Sequence, residues 1–404
     1  MTKNTLYISF DGLSDPLGQS QILPYICGLA GNGFHITVLS CEKKRLLVLE
    51  ESGIRKLLEG LPIDWHYIIY NEDGGLLSRW FYIQKLRALA LRVHKERTLS
   101  LVHCRSYLAS LIGLRFKRKY KIPFVFDMRG LWADERMDGN IWSKKNKVHQ
   151  VLYSYFKKKE KQFLVHADAI VSLTQAGLDE LCRLYPEELI RPKTKIIPCC
   201  TNTALFDPKI TLPAYLPGIG QNDHVIIYTG SIGTWYYTKE MIDCILVWKT
   251  RIPNIKLLVL TKDTETLDQI LDSYSPEQRH CVIVSSASYS EVPAFLKLAK
   301  AALFFIKPAY SKVASSPTKM AECWAMNLPI ITNSGIGDND LYFRTHQGGV
   351  LLEEFSRREY LKACEKYLSL PANDTHYRQI ALNHFDTRQA VTSYTSLYHA
   401  IVKP

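Results

Sequence analysis

Residues 314–326, ASSPTKMAECWAM, carry the most specific chemistry in the chain. Ser316 suits a helix N-cap and Pro317 the first helical position, which puts Thr318 and Lys319 in the first turn, where unpaired backbone N–H groups point outward. A helix start of this kind binds phosphate, and Lys319 adds a full positive charge. Glu322 follows three residues later, one turn deeper on the same face. A carboxylate there can accept both hydroxyls of a ribose while the lysine and the backbone hold a diphosphate. The same residues also read as a capped helix with a lysine–glutamate pair on a wet surface.

Other candidates stand at the ends of apolar runs. DGLSDPLGQSQ at 11–21 follows the first run and precedes a helix expected near Ile22; in it Gly18 lets backbone amides approach an anionic or sugar ligand, and Gln19 follows directly. A plain strand-to-helix turn is the alternative. FDMRGLWADER at 126–136 gathers Asp127, Arg129, Asp134, Glu135 and Arg136 beside Trp132. Charges of both signs next to an indole suit a sugar, and a solvated salt-bridge loop is the other reading. HCRSY at 103–107 adds Arg105 and a histidine of core type. In the second half, YTGSIGTWYY at 228–237 places Gly230, Ser231 and Gly233 where backbone can meet phosphate, whereas GIGDND at 335–340 lacks the third glycine of a dinucleotide fingerprint.

These loops need elements to hold them. Short buried runs, 6–10, 36–40, 99–103, 124–126 and 169–172, alternate with amphipathic stretches, and the pattern resumes with 225–229, 256–260, 282–284, 302–306 and 329–332. Parallel β/α units follow. Prolines and glycines at 206–220 interrupt the alternation, so we expect an N-terminal domain over 1–205, a linker over 206–222, a second α/β domain over 223–385 and a C-terminal helix over 386–404 that crosses back to the first domain. Open α/β sheets present ligand crevices at the carboxyl ends of their strands, and a cleft between domains is the default site.

Composition narrows the class. Of the net charge of +12, all but one unit resides in the first half: residues 1–205 hold 31 basic and 20 acidic side chains, residues 206–404 hold 20 and 19. The runs RFKRKYK at 115–121 and KKKEK at 157–161 read as solvated helix faces or as contacts with anionic lipid headgroups. No nucleic-acid motif accompanies them. Ten cysteines without a CxxC pair, no signal-like start and no long apolar run point to a cytoplasmic protein, at most peripheral on a membrane. HExxH, GxSxG and zinc spacings are absent.

In order and spacing, Asp15–Gln21, Asp127–Glu135, Tyr228–Tyr236 and Ser316–Glu322 resemble the retaining bacterial glycosyltransferases of family 4, of the GT-B fold, used in capsule, exopolysaccharide and lipopolysaccharide assembly. The resemblance implies an α/β protein with two Rossmann-like domains facing a cleft. The C-terminal domain would bind a UDP- or GDP-sugar and the N-terminal domain a glycan or lipid-linked acceptor. By that likeness Glu322 holds the ribose, Lys319 and the Gly230–Gly233 loop the diphosphate, and Gly18 lies near the transferred sugar. Arg129 and Glu135 join Lys319 and Glu322 as the expected catalytic set, with Gln19, Arg105, Asp127, Trp132, Ser231, Ser316 and Thr318 binding substrate. No cofactor and no metal are implied, which leaves Asp338-Asn-Asp340 a loop. Where many relatives carry the first glutamate of an E-x7-E pair this chain has Ala314, and Ser231 stands in place of an arginine. A hydrolysing epimerase that uses a sugar nucleotide and a catalytically inactive binding module are the alternatives.

Overall fold

The computed structural model describes residues 3–71, 74–211, 216–371 and 375–402, so part of the expected linker (212–215) and the end of the expected C-terminal helix (403–404) lie outside the described residues. The chain divides into two compact units. The first comprises residues 1–198, 310–315 and 387–404, and the second 199–309 and 316–386.

In the first unit seven strands form one sheet: β1 (Lys3–Ser9), β2 (Phe34–Lys43), β3 (Ile63–Tyr70), β4 (Leu101–Arg105), β5 (Phe124–Asp127), β6 (Ala169–Ser172) and β7 (Thr194–Ile196). Their order is β3-β2-β1-β4-β5-β6-β7, and every pairing is parallel. The chain winds outward from β1 in both directions, so the topological switch lies between β1 and β4, where Ser9 is opposite Arg105. Central strands β4, β5 and β6 are buried along their whole length, which is why their sequences are nearly continuous apolar runs. Polar residues enter at their carboxyl ends, as Arg105, Asp127 and Ser172. The last helix, Thr387–Ile401, belongs to this unit and packs on Leu23–Gly31. The contact is close enough that a β-carbon on Gly28 would sit 2.4 Å from Val391 Cγ2.

The second unit repeats the plan with six parallel strands: β8 (His224–Thr229), β9 (Ile255–Leu260), β10 (Val282–Ser285), β11 (Ala301–Leu303), β12 (Ile330–Asn333) and β13 (Gly349–Leu352). Their order is β10-β9-β8-β11-β12-β13. Strands β3, β7 and β13 were not anticipated: β3 and β7 lie at a sheet edge, are only partly buried and mix polar with apolar residues, and the apolar run of β13 is only three residues long. Strand β11 ends at Leu303, short of the expected Ile306, because the next residues turn to pair with the loop after β8: Tyr237 N–H donates to Phe305 O at 3.0 Å and Lys307 N–H to Trp235 O at 2.8 Å.

Candidate active site

In the second unit β8 delivers the chain to Gly230, whose φ of +136° suits only glycine. The loop beyond it is pinned at two points. Tyr228 Oη donates to Ser231 O at 2.5 Å, and Asp263 Oδ2 accepts the Ile232 amide at 2.9 Å. Helix Thr318–Ala325 brings Lys319 to this loop. A β-carbon on Gly230 would lie 2.8 Å from Lys319 Nζ, so the absence of a side chain there makes room for the ammonium.

Lys319 is 8% exposed. Its Nζ lies 3.6 Å from the centre of the Tyr236 ring, 4.4 Å from that of Tyr228 and 5.7 Å from that of Phe304, and it donates to Tyr228 Oη at 3.4 Å. Aromatic faces thus take the place of a carboxylate, and among the described residues no salt bridge reaches this lysine. Burial lowers its ammonium to about 7. Glu322 is buried as deeply, and burial raises its carboxyl to about 7 against the pull of Lys319 and of the Tyr289 hydroxyl bonded to it. The pair therefore sits near the balance between neutral and charged forms, and an anion beside Lys319 with hydroxyls on Glu322 would draw both into the charged form.

The helix start differs from expectation. Pro317 occupies the N-cap position with no side-chain cap, and Ser316 Oγ accepts the Cys199 amide at 3.1 Å instead. Thr318 becomes the first helical residue. Glu322 is buried too, so the pair does not lie on a wet surface. Ser231 is exposed and contributes its carbonyl to Tyr228. Gly233, with φ of +96°, has open space where a β-carbon would be. Asp338 stands at the N-cap position of helix Asn339–His346, and Asp340 Oδ2 accepts the Gly335 amide at 3.3 Å.

The first unit has its own cluster at the carboxyl ends of β1, β4 and β5. Arg129 and Gly130 leave β5 through left-handed backbone, φ +57° and +119°, and Ser106 leaves β4 at φ +66°. Such conformations cost energy in a non-glycine residue and gather where function demands them. Arg129 Nη1 lies 3.9 Å from Asp127 Oδ1, and its Nη2 donates to Gln21 Oε1 at 3.3 Å. Asp127 Oδ2 accepts from Tyr394 Oη at 3.1 Å and faces His103 Nε2 at 3.4 Å, while His103 Nδ1 meets Tyr398 Oη at 2.7 Å. Arg129, followed by His103 and Arg105, keeps the buried Asp127 carboxyl below its usual value; burial lowers His103. Arg105, 2% exposed, reaches Asp11 Oδ2 at 3.4 Å.

Gly18 lies inside helix Pro16–Gln21, and a β-carbon there would fall 1.9 Å from Gly12 O, so packing against the loop already demands a glycine. The helix expected near Ile22 starts six residues earlier, at Pro16, breaks at Ile22 and resumes at Leu23. Gln19 Nε2 donates to Ser14 O at 3.3 Å. Trp132, partly buried, joins an aromatic cluster with Tyr107, Trp142 and Phe156, and the Arg136 guanidinium lies 4.2 Å over its ring. Glu135 pairs with Lys312 at 2.7 Å. Nor is Lys157 a solvated cation: it bridges Asp134 at 2.9 Å and Glu160 at 2.6 Å, and Tyr185 also donates to Glu160 at 2.6 Å.

Several residues escape local reading. Glu42, fully buried near the end of β2, accepts the Leu13 amide at 2.7 Å, the Ser14 amide at 3.0 Å and the Ser14 and Ser40 hydroxyls at 2.5 Å each. One carboxylate thereby organises the loop after β1. A charge closing the apolar run of β2 was its signal. Tyr228 and Tyr236 were visible as aromatic residues flanking the glycines, Tyr394 and Tyr398 as the i,i+4 pair of the last helix.

Residues 25–205 match the family model Glycosyltransferase Family 4. No curated protein shows significant sequence similarity to the chain. Among solved structures, sucrose-phosphate synthase from Thermosynechococcus elongatus superposes with a TM-score of 0.70 at 15% identity, covering 99% of each chain. HepE from Anabaena in complex with UDP and glucose gives 0.69 at 13%, covering 98% of this chain and 99% of that one. WaaG, a glycosyltransferase involved in lipopolysaccharide biosynthesis, gives 0.66 at 12%, again covering 98% and 99%. The fold is that of the GT-B glycosyltransferases.

Proposed function

We propose that the protein transfers a sugar, with retention, from a nucleoside diphosphate sugar to a hydroxyl of a lipid-linked glycan in bacterial surface polysaccharide assembly. It would work in the cytoplasm, at the inner face of the cell membrane. The observation that carries this reading is the Lys319 ammonium, buried on the rings of Tyr236 and Tyr228 beside Gly230 and one helical turn from Glu322. A donor diphosphate would give this cation its missing counter-charge, and the ribose hydroxyls would donate to Glu322.

In the reaction, the acceptor oxygen bonds to the anomeric carbon on the face from which the diphosphate departs. The anomeric C–O bond to phosphate breaks, and the acceptor proton passes to a phosphate oxygen of the leaving group, so no protein nucleophile is required. Lys319 and the amides at 230–233 stabilise the charge that develops on that diphosphate. Solved structures of the same fold carry UDP or UDP-glucose, which supports a uridine donor. All ten cysteines are free thiols, in keeping with a reducing compartment.

A hydrolysing epimerase would need a carboxylate and histidine open to substrate. His103 and Asp127 form such a pair, yet each is only 1% exposed and both are bonded to tyrosines of the last helix, which favours the transferase. Calorimetric titration with UDP, GDP and CMP tests the reading. Selective binding of UDP or GDP that is lost in Glu322→Ala supports it, and a folded protein that binds none of them overturns it.

A further inference from the structure

Three helices of the first unit, Gly75–Glu96, Ser106–Tyr120 and Lys147–His166, enclose a surface groove of about 530 Å³. Five cations line it, Arg87, Arg115, Arg118, Lys119 and Lys159, and among the described residues no acidic side chain does. The groove differs from the neighbouring surface, where Lys117 is paired with Asp168 and Lys157 with Asp134 and Glu160. Within it Lys159 is held below the ordinary lysine value by burial and by repulsion from Arg118 and Lys158, a crowding of like charge that an anion would relieve.

The rim is apolar. Trp80, 62% exposed, and Tyr155 line the groove itself, and Phe81, next to Trp80 in sequence, is 50% exposed beneath Lys85. Along helix Lys147–His166, Val148, Val151 and Tyr155 recur at i, i+3 and i+7, all exposed, so they form a stripe on one face that leads to the basic wall. Valines next to a nucleic acid backbone would find no apolar phase. Arg and Lys beside Trp, Tyr and aliphatic side chains match the boundary between lipid headgroups and acyl chains. Among the described residues no helix is long and apolar enough to cross a membrane, so the contact would be superficial.

We propose that this face docks on an anionic phospholipid bilayer, the groove between the three helices taking a headgroup phosphate while Trp80, Phe81, Val151 and Tyr155 enter the interface. The inference deepens the lipid-linked acceptor reading above by locating the surface that would bring the enzyme to such an acceptor. Its test needs neither donor nor turnover, so either reading can fail alone.

The full chain is sedimented with vesicles of phosphatidylcholine alone or mixed with phosphatidylglycerol. Binding should require phosphatidylglycerol and weaken with salt. At roughly 1 kcal/mol for each basic residue near the surface, Arg115→Gln/Arg118→Gln/Lys119→Gln should weaken it by about a hundredfold. Trp80→Ser should weaken binding severalfold while leaving the salt dependence as it is, with near-UV circular dichroism unchanged in both variants. Equal binding to neutral vesicles, wild-type binding by the triple variant, or binding to polyuridine RNA in place of vesicles would overturn the proposal.

Discussion

The ammonium of Lys319 lies 3.6 Å from the centre of the Tyr236 ring, so this buried cation rests on π-electron density where a carboxylate would otherwise stand. A desolvated contact of this kind contributes about 2 kcal/mol, less than a charged phosphate offers. The lysine is thereby kept in place by rings and the Tyr228 hydroxyl, without a salt bridge among the described residues.

Donor binding should have a narrow pH maximum. A nucleotide bound as proposed would favour charged Lys319 and ionised Glu322, and burial brings both groups to about 7. Affinity for UDP should rise with pH as Glu322 loses its proton and fall as Lys319 loses its own. Calorimetry across this range should retain only the alkaline fall in Glu322→Gln and only the acid rise in Lys319→Met.

Gly230→Ala should affect the same site through geometry. The new methyl group would meet Lys319 Nζ at 2.8 Å, on backbone with φ of +136°. UDP affinity should fall by about tenfold, equivalent to about 1.4 kcal/mol. An unaltered dissociation constant would separate the glycine from the donor site.

Glu42 should hold the loop after β1 in place. Replacing it by Leu leaves the amides of Leu13 and Ser14 buried without an acceptor, at about 1–3 kcal/mol for each group. Urea denaturation should record the loss, and faster hydrogen exchange should localise it to residues 12–15.

His103 should make the protein acid-sensitive. Burial lowers its pKa, so below about 6.5 the unfolded chain binds a proton that the folded protein refuses. Stability contributed by the neutral ring is complete above that pH and is lost as pH falls toward the lower folded value. The urea midpoint of the wild type should drop as pH falls below about 6.5, and His103→Gln should flatten that decline. Tyr398→Phe should cost about 1 kcal/mol at neutral pH by leaving His103 Nδ1 unpaired.

Adjacent lysines should behave differently. Lys157→Ala strands the carboxylates of Asp134 and Glu160, 6% and 0% exposed, and should lower stability by about 3 kcal/mol. Lys158 is exposed, and Lys158→Ala should shift the melting temperature by less than a degree or two, about the scale of a surface change. Equal effects would rule out the buried network.

Local order along the chain was enough for much of this. Apolar runs ending in polar residues identify the central strands and the loops that follow them, and three-residue spacing on a helix puts Lys319 and Glu322 on one face wherever that helix lies. These features depend on periodicity, which neighbouring residues carry by themselves. Edge strands β3 and β7 were missed because half-buried segments need not be continuously apolar, and β13 because its apolar run, Val350–Leu352, is only three residues long. The packing partners of Gly18 and Trp132 were not legible, because a glycine or an indole in a loop looks the same whether it faces solvent or another part of the protein. Folding alone decides that Gly18 meets Gly12, that Glu42 reaches back to Leu13, that Lys157 turns inward, and that Tyr398 meets His103 across 295 residues. Such pairings arise when burial forces each polar group to find a partner, and that partner is chosen by the packing of whole elements, which no short stretch of sequence contains.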